Sequence, residues 1–235
     1  CGAADRALDA GATILIVSDR AVSAHRLPIP AVLALGAVHH HLIRTGQRST
    51  CSLIVESGET HEVHQLAVLV GYGAEAVNPY VALATVREIA NERSRTPITA
   101  AEAEDNYCHA LEKGLLKVMS KMGISTIDSY CGAQIFEALG LGTAVIERSL
   151  AGTPARFGGA GWVRLGRETA ARHAEAYAAE QPSLRHPGLY KFKKDGEYHA
   201  FHPAVVHALQ RAVRVASAAD GDFAAGFAVY RGYAE

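Results

Sequence analysis

"ATILIVS", residues 12–18, is apolar and rich in β-branched side chains almost from end to end. Strict alternation would mark a strand with one wet face. A continuous run marks a strand covered on both faces, as in a parallel sheet. A second such run, "CSLIVE", occupies 51–56. Between them "AVLALGAVHHHLIR" reads as a helix, prepared by Pro28 and Pro30 and closed by Gly46 at C′. A strand, a helix and a strand in that order predict a βαβ unit.

The rhythm continues outward. Ser57 is expected to cap the next helix, whose apolar stripe is Val63, Leu66, Ala67 and Val70. "AEAVNP" (74–79) reads as a short third strand, with Asn78 as N-cap and Pro79 at N1 of the following helix. After the polar connector "NERSRTPITAAEAED" (91–105), Asn106 is expected to cap a helix with Leu111, Leu115, Val118 and Met122 on one face. Gly123 ends it within "KGLLKVMSKMGIST" (113–126), "ISTID" (124–128) reads as a strand, and "GAQIFEALG" (132–140) as a short helix. The region 150–187 changes character: Gly-rich "GTPARFGGAGW", a polar helix "RETAARHAEAYAAE", then the breaker cluster "QPSLRHPG". "LYKFKKDGEYHAF" (189–201) reads as a hairpin turning at Asp195-Gly196, and a helix starts at Pro203.

The composition of the 235 residues is that of a globular protein with a full core: 49% hydrophobic, 20% charged, net charge −1. Interspersed charge of that size gives no footprint for nucleic acid or an anionic membrane. The longest apolar run, 66–86, is broken by Glu75, Asn78 and Pro79 and is not a membrane span. No signal-peptide pattern is read at the start, and the four cysteines show no CxxC pairing, so free thiols in a reducing cytoplasm are expected. The chain opens at Cys1 within a helical pattern and stops at "YRGYAE", so a piece of a longer polypeptide is expected.

Strand ends supply the site candidates: Ser18, Asp19 and Arg20 after the first strand, Glu56, Ser57 and Glu59 after the second, and Ser125, Thr126, Asp128 and Tyr130 after "ISTID". His39, His40 and His41 are neighbours on a helix, diverge by about 100° each and do not face one ion. His61 and His64 lack a further ligand. Gly71 and Gly73 follow a helix and precede a strand, the wrong order for a dinucleotide loop, and read as helix-ending glycines. "GTPARFGGAG" reads as a flexible linker rather than an anion cradle. Cys1 has the position of an N-terminal nucleophile and none of the accompanying features. Lys113, Lys117 and Lys121 suit the C-terminal end of a helix dipole, a complete structural account.

"ILIVSDR", "IPAVLALGAVHHHLIR", "SLIVESGETHEVHQLAVLVGYGAEAVNPY" and "KGLLKVMSKMGISTIDSYCGAQIFEALGL" together resemble the central domain of the glutamate synthase large subunit. "GTPARFGG" resembles that domain's closing segment, and "GLYKFKKDGEYHAFHPAVVHALQRAV" the start of the FMN-binding domain that follows it. The resemblance implies an α/β fold of parallel βα repeats: an irregular (β/α) TIM-barrel-like central domain over 1–165, a linker over 166–187, and the truncated start of an FMN TIM-barrel domain over 188–235. It implies a parent oxidoreductase in which a glutaminase domain releases ammonia, a tunnel carries it past the central domain, and reduced FMN delivers a hydride to the imine of 2-oxoglutarate, yielding glutamate. FMN and a [3Fe-4S] cluster are implied for the parent, with their residues, and the catalytic ones, outside this stretch. No catalytic, cofactor-binding or metal residue is therefore carried over, and Cys51, Cys108 and Cys131 fall in no cluster motif. The implied partners are the glutaminase and FMN domains of the same chain and a small NADPH-oxidising subunit or ferredoxin, in the cytoplasm, without nucleic acid or membrane. Two other readings stand beside this one: a stand-alone non-catalytic α/β docking module, and a small barrel enzyme using Asp19, Glu56 and Asp128 in acid–base work.

Overall fold

The computed structural model describes residues 1–93, 98–178, 187–189, 191–218 and 221–234. The chain divides into two compact units, Cys1–Glu180 and Gln181–Glu235.

In the first unit the order is α1 (Gly2–Asp9), β1 (Ile14–Ser18), α2 (Ala31–Arg44), a 3₁₀ turn (Arg48–Thr50), β2 (Ser52–Glu56), α3 (Val63–Gly71), β3 (Ala76–Asn78), α4 (Tyr80–Arg93), α5 (Ala100–Met122), α6 (Ile127–Tyr130), β4 (Leu139–Leu141), α7 (Thr143–Ser149), β5 (Phe157–Ala160) and α8 (Trp162–Ala176). β1, β2 and β3 form a parallel sheet in that order, with Leu15 opposite Leu53 and Val55 opposite Val77. β4 and β5 form a second parallel pair with one irregularity between Leu139 and Leu141.

The first three strands and α2 form where the apolar runs place them, and Gly46 takes the left-handed conformation just past α2, at φ 73°. The covering of the sheet is another matter. Leu15, Leu53 and Val55 are buried against Ala4 of α1, Leu35 and Leu42 of α2 and Leu69 of α3. Alternate residues of a strand point to opposite faces, so these three helices share one side. On the other side Ile14 is 56% and Ile16 62% exposed. The expectation of a strand covered on both faces is corrected: among the described residues one face is packed and one is open.

Helix starts also differ from expectation. α3 is capped by Glu62, which shares a capping box with Gln65; Ser57 is wholly buried and its hydroxyl accepts from the Glu59 N–H instead. α5 begins at Ala100, where Thr99 and Glu102 bond reciprocally, and Asn106 lies inside the helix. On α5 the buried residues are Leu111 and Met119, with Leu115 and Val118 beside them, while Met122 is 53% exposed. The stripe at 3.6 residues per turn drifts away from Met122 by the last turn.

No strand forms at 124–128. Thr126 caps α6 by accepting from the Ser129 N–H, and Ile124 packs into the cluster of Ala67, Val70, Met119 and Tyr130. Nor is 132–138 a helix. Gly132 and Gln134 both have positive φ, the Gly132 N–H donates to the Gly71 carbonyl, and the Ala138 N–H donates to the Pro154 carbonyl. Phe136 stacks on Tyr72 and meets Tyr130 edge-on, and these contacts hold the segment as a fitted loop. Phe157–Ala160 form β5 rather than a flexible stretch; at Gly159 a Cβ would lie 2.4 Å from the Gly140 carbonyl oxygen, so only glycine lets the two strands approach.

Gly123 ends α5 at φ 73°, with open space around the place a Cβ would occupy. A Gly123→Ala variant therefore tests backbone conformation alone. It is expected to lower stability by about 1 kcal/mol, read as a shift of the urea midpoint at constant slope; an unchanged midpoint would refute the left-handed assignment.

The second unit holds α9 (Pro203–Ser217) and α10 (Phe223–Ala234), packed on each other. α9 starts at Pro203 as expected, with the His202 Nδ1 accepting from the Ala204 N–H. The expected turn is present, with Asp195 at φ 64° and the Gly196 N–H donating to the Lys193 carbonyl. The hairpin is not: among the described residues of 187–201 there is no strand, and Tyr198 stacks on His202 at the start of α9 instead.

Candidate functional site

Parallel sheets carry their sites beyond the carboxyl ends of the strands, and this sheet gathers polar groups there. Ser18 closes β1 and donates its hydroxyl to the Glu56 carboxylate at 2.6 Å. Arg20 meets the other Glu56 oxygen at 2.8 Å, and the Asn78 amide donates to that oxygen at 3.3 Å. The Arg20 guanidinium also lies over the Tyr80 ring, 4.3 Å from its centroid. Asp19 accepts the Gly58 N–H with both oxygens, at 3.0 and 2.9 Å, and lies beside the Tyr80 hydroxyl.

The charges follow from this geometry. The Arg20 guanidinium, and after it the Ser18 hydroxyl, hold the Glu56 carboxyl below the usual carboxylate range. Burial, and then the neighbouring Asp19, push the Tyr80 phenol up to about 12. Glu56 is an ionised carboxylate with both oxygens engaged, and Tyr80 keeps its proton. Such a network ties the ends of β1, β2 and β3 together. It lacks an unengaged base beside a nucleophile, which acid–base work requires.

Of the three strand-end carboxylates, the fold brings Asp19 and Glu56 together and leaves Asp128 elsewhere. Asp128 lies on α6, exposed, because the strand expected to end there does not form. Its neighbours have local tasks: Thr126 caps α6, Ser129 bonds Thr126, Ser125 is exposed, and the buried Tyr130 donates to the Ala67 carbonyl. Tyr80 was not among the sequence candidates, and Asn78 was expected to cap a helix. A tyrosine following Pro79 gives no sign that an arginine from another strand will lie on it.

A larger cavity of about 630 Å³ opens beside the loop that leaves β2, lined by Pro30, Ala31, Val32, Glu59, Thr60, His64, Gln65, Val68, Leu69 and Arg172. One Glu59 oxygen accepts the Ala31 N–H at 3.0 Å, at the start of α2. α8 supplies Arg172, and the next residue, His173, bonds the Ser23 carbonyl at 2.7 Å, fixing α8 against the loop after β1.

The three adjacent histidines diverge. His41 bonds Asp5 at 2.6 Å, and His40 Nε2 is buried without a partner among the described residues. His39 accepts from Arg48 Nε at 3.0 Å. The same Arg48 donates to the carbonyls of Cys51 and Gly73 and to Glu75. Burial, with lesser contributions from His40 and Arg48, lowers His39 from its ordinary 6.5 to about 4. The folded protein therefore keeps His39 neutral where the unfolded chain would protonate it. Stability from this group is complete above pH 6.5 and falls as the pH drops towards 4. The loss is at most about 3 kcal/mol, measurable as urea midpoints at pH 7 and pH 4.5. A His39→Gln variant with the same pH profile as the parent would refute the assignment.

His61 bonds the Glu59 carbonyl, and Lys113, Lys117 and Lys121 are exposed on α5. Gly73 is left-handed past α3, as expected. Cys1 lies at the start of α1 with its thiol on the Ala37 carbonyl, and Cys51 just before β2, Cys108 on α5 and Cys131 just after α6 are free thiols. Burial pushes the Cys131 thiol up.

Similarity to known proteins bears on what such a fold belongs to. The glutamate synthase central domain family matches residues 1–142. The chain is 45% identical over 212 residues to the glutamate synthase [NADPH] large chain of Bacillus subtilis, covering 90% of this chain and 14% of that protein. It is 42% identical over 219 residues to the glutamate synthase [NADH] of Schizosaccharomyces pombe, covering 91% of this chain and 10% of that one. The ferredoxin-dependent glutamate synthase of spinach chloroplasts is 40% identical over 226 residues, 91% of this chain and 14% of the relative. The chain thus spans between 10% and 14% of the length of these relatives. With a family match over more than half of its residues and this identity along nine-tenths of it, the chain belongs to the glutamate synthase central domain family.

Proposed function

We propose that this chain is part of a glutamate synthase large polypeptide, and that its part in the reaction is architectural. In this reading residues 1–165 belong to an irregular TIM-barrel-like central domain, 166–187 link it onward, and 188–235 begin the FMN-binding domain. The segment holds the glutaminase and synthase domains in register and borders the route that ammonia takes between them. The parent is an oxidoreductase of the cytoplasm that makes glutamate from glutamine and 2-oxoglutarate. It works with a small NADPH-oxidising subunit or with ferredoxin. The observation that supports this reading is the 40–45% identity to glutamate synthases of three electron-donor types, each running through about nine-tenths of the chain.

FMN in the parent supplies the hydride, and the [3Fe-4S] cluster relays electrons. In this reading the residues that hold both groups lie elsewhere in the parent. Among the described residues no group of three His, Cys, Asp or Glu side chains is placed to hold a metal ion. The loop at Gly71 and Gly73 is closed by Phe136 and His39, whose atoms would lie 2.5 and 2.2 Å from a Cβ at those glycines. The architectural role needs no chemical step from residues of this chain. No helix among the described residues is long and apolar enough to cross a membrane.

The test is a chimera in which this chain replaces the matching segment of the Bacillus subtilis large chain. Glutamine-dependent glutamate formation close to the parental rate is the expected result. Flavin fluorescence quenching on the 235-residue chain alone is expected to detect no FMN. Tight FMN binding by the chain alone, or a chimera that hydrolyses glutamine yet retains no flavin, would overturn the architectural reading.

A further inference from the structure

We propose that the cavity between the start of α2, α3 and α8 binds a free α-amino acid. This goes beyond the architectural role and does not depend on it. Glu59 and Arg172 carry opposite charges, line the same space, and form no ion pair with each other. Arg172 has no ion-pair partner at all among the described residues. Two unlike charges that share a cavity and stay apart match a ligand that carries both charges itself. Arg172 takes the carboxylate, for which a guanidinium has the right donor geometry, and Glu59 takes the ammonium.

The remaining lining agrees with that assignment. Glu59 is pinned to the wall by the Ala31 N–H through one oxygen, Oε2, which leaves Oε1 for a ligand. Thr60 is 2% exposed and lines the cavity. Its hydroxyl can donate to or accept from a polar ligand atom at the cavity wall. Val32, Val68 and Leu69 give an apolar floor for a side chain. The volume of about 630 Å³ lies in the range of small-molecule sites. The position, at the loop leaving β2, is where parallel sheets place ligands. A lone anion would leave Glu59 facing it, and a lone cation would leave Arg172.

Calorimetric titration of the 235-residue chain tests this directly. The probes are L-leucine and L-glutamine, with isocaproate and isoamylamine as leucine lacking one charge each, and inorganic phosphate as a plain anion. At least one amino acid is expected to bind, and the two single-charge analogues to bind about tenfold more weakly or worse. Arg172→Met, an exposed position on α8, and Glu59→Gln are each expected to weaken the amino acid at least about tenfold. Thr60→Val is expected to weaken it by a smaller factor, in keeping with one neutral hydrogen bond. The proposal is overturned if neither amino acid gives heat at millimolar concentration. It is equally overturned if phosphate binds as tightly as the amino acid, or if binding survives both charge substitutions.

Discussion

Gly36→Ala is expected to destabilise this protein by about 3 kcal/mol or more, against the ordinary preference of helices for alanine. Gly36 is buried in the middle of α2, where α7 crosses it. A Cβ built at Gly36 would lie 1.9 Å from the carbonyl oxygen of Ser149 and 3.0 Å from its carbonyl carbon. Both are backbone atoms, so no side chain can swing aside. Ser149 is wholly buried, and Val145, Ile146 and Leu150 around it pack on Leu33 of α2. Relief requires the two helices to separate, which opens that whole cluster. Gly166→Ala is the control: Gly166 is exposed inside α8, and nothing lies within 4 Å of its added Cβ. It is expected to gain about 0.5–1 kcal/mol from helix propensity. Urea unfolding of both variants separates the two effects. If Gly36→Ala gains stability as Gly166→Ala does, α2 and α7 do not cross this closely.

Gly36 also marks the limit of what the sequence reveals. It sits in a helical pattern as an unremarkable small residue, and its meaning comes from Ser149, more than a hundred residues later. The legible elements were those whose signal is local. The runs at 12–18 and 51–56 are strands because β-branched apolar residues suit nothing else at that length, and α2 follows from its Pro and Gly boundaries. The misread elements had compositional signals that a competing local bond in one case and long-range contacts in the other overrode. "ISTID" has strand composition, yet the bond between Thr126 and Ser129 starts a helical turn there. "GAQIFEALG" has helix composition, yet Phe136 lodges between Tyr72 and Tyr130, and the backbone bends to deliver it.

The candidate site was legible in the same partial way. Asp19, Arg20, Glu56 and Glu59 stood out because they end or follow apolar runs. That Glu56 would be saturated by Ser18, Arg20 and Asn78 depends on strand register, with Ser18 opposite Glu56 and Glu56 opposite Asn78. Thr60 and Arg172 gave no signal. One is a threonine in a polar loop and the other an arginine in a polar helix, and only the packing of α8 puts them around one cavity. Family resemblance identified the chain better than any of these residues did, since whole motifs in order are improbable by chance whereas single charges are not.

Arg48 carries the second large effect, and it too was absent from the sequence reading. Its side chain is 18% exposed and donates to four acceptors: His39 Nδ1 at 3.0 Å, the Cys51 carbonyl at 2.7 Å, the Gly73 carbonyl at 3.0 Å and Glu75 at 3.0 Å. These belong to α2, the start of β2 and the connection from α3 into β3, so one guanidinium ties three parts of the βαβ framework. Arg48→Met keeps the stem but removes the guanidinium from His39 Nδ1 and the Cys51 and Gly73 carbonyls, while the half-exposed Glu75 keeps the Ser52 hydroxyl. The expected loss is about 3–5 kcal/mol, the cost of leaving partly buried polar groups unpaired. Arg48→Lys is expected to recover a minor part, because an ammonium cannot match a planar fork spread over four acceptors. The pH profile distinguishes this clamp from simple loss of packing. His39 is lowered first by burial and then by its cationic neighbours, and Glu75 is held down first by the Ser52 hydroxyl and then by Arg48. Removing the guanidinium moves both groups back towards their ordinary values. The fall in stability between pH 6.5 and about 4 should therefore be shallower in Arg48→Met than in the parent. An equal slope in the two proteins, or a loss below 1 kcal/mol, would mean that Arg48 rests on this surface without holding it.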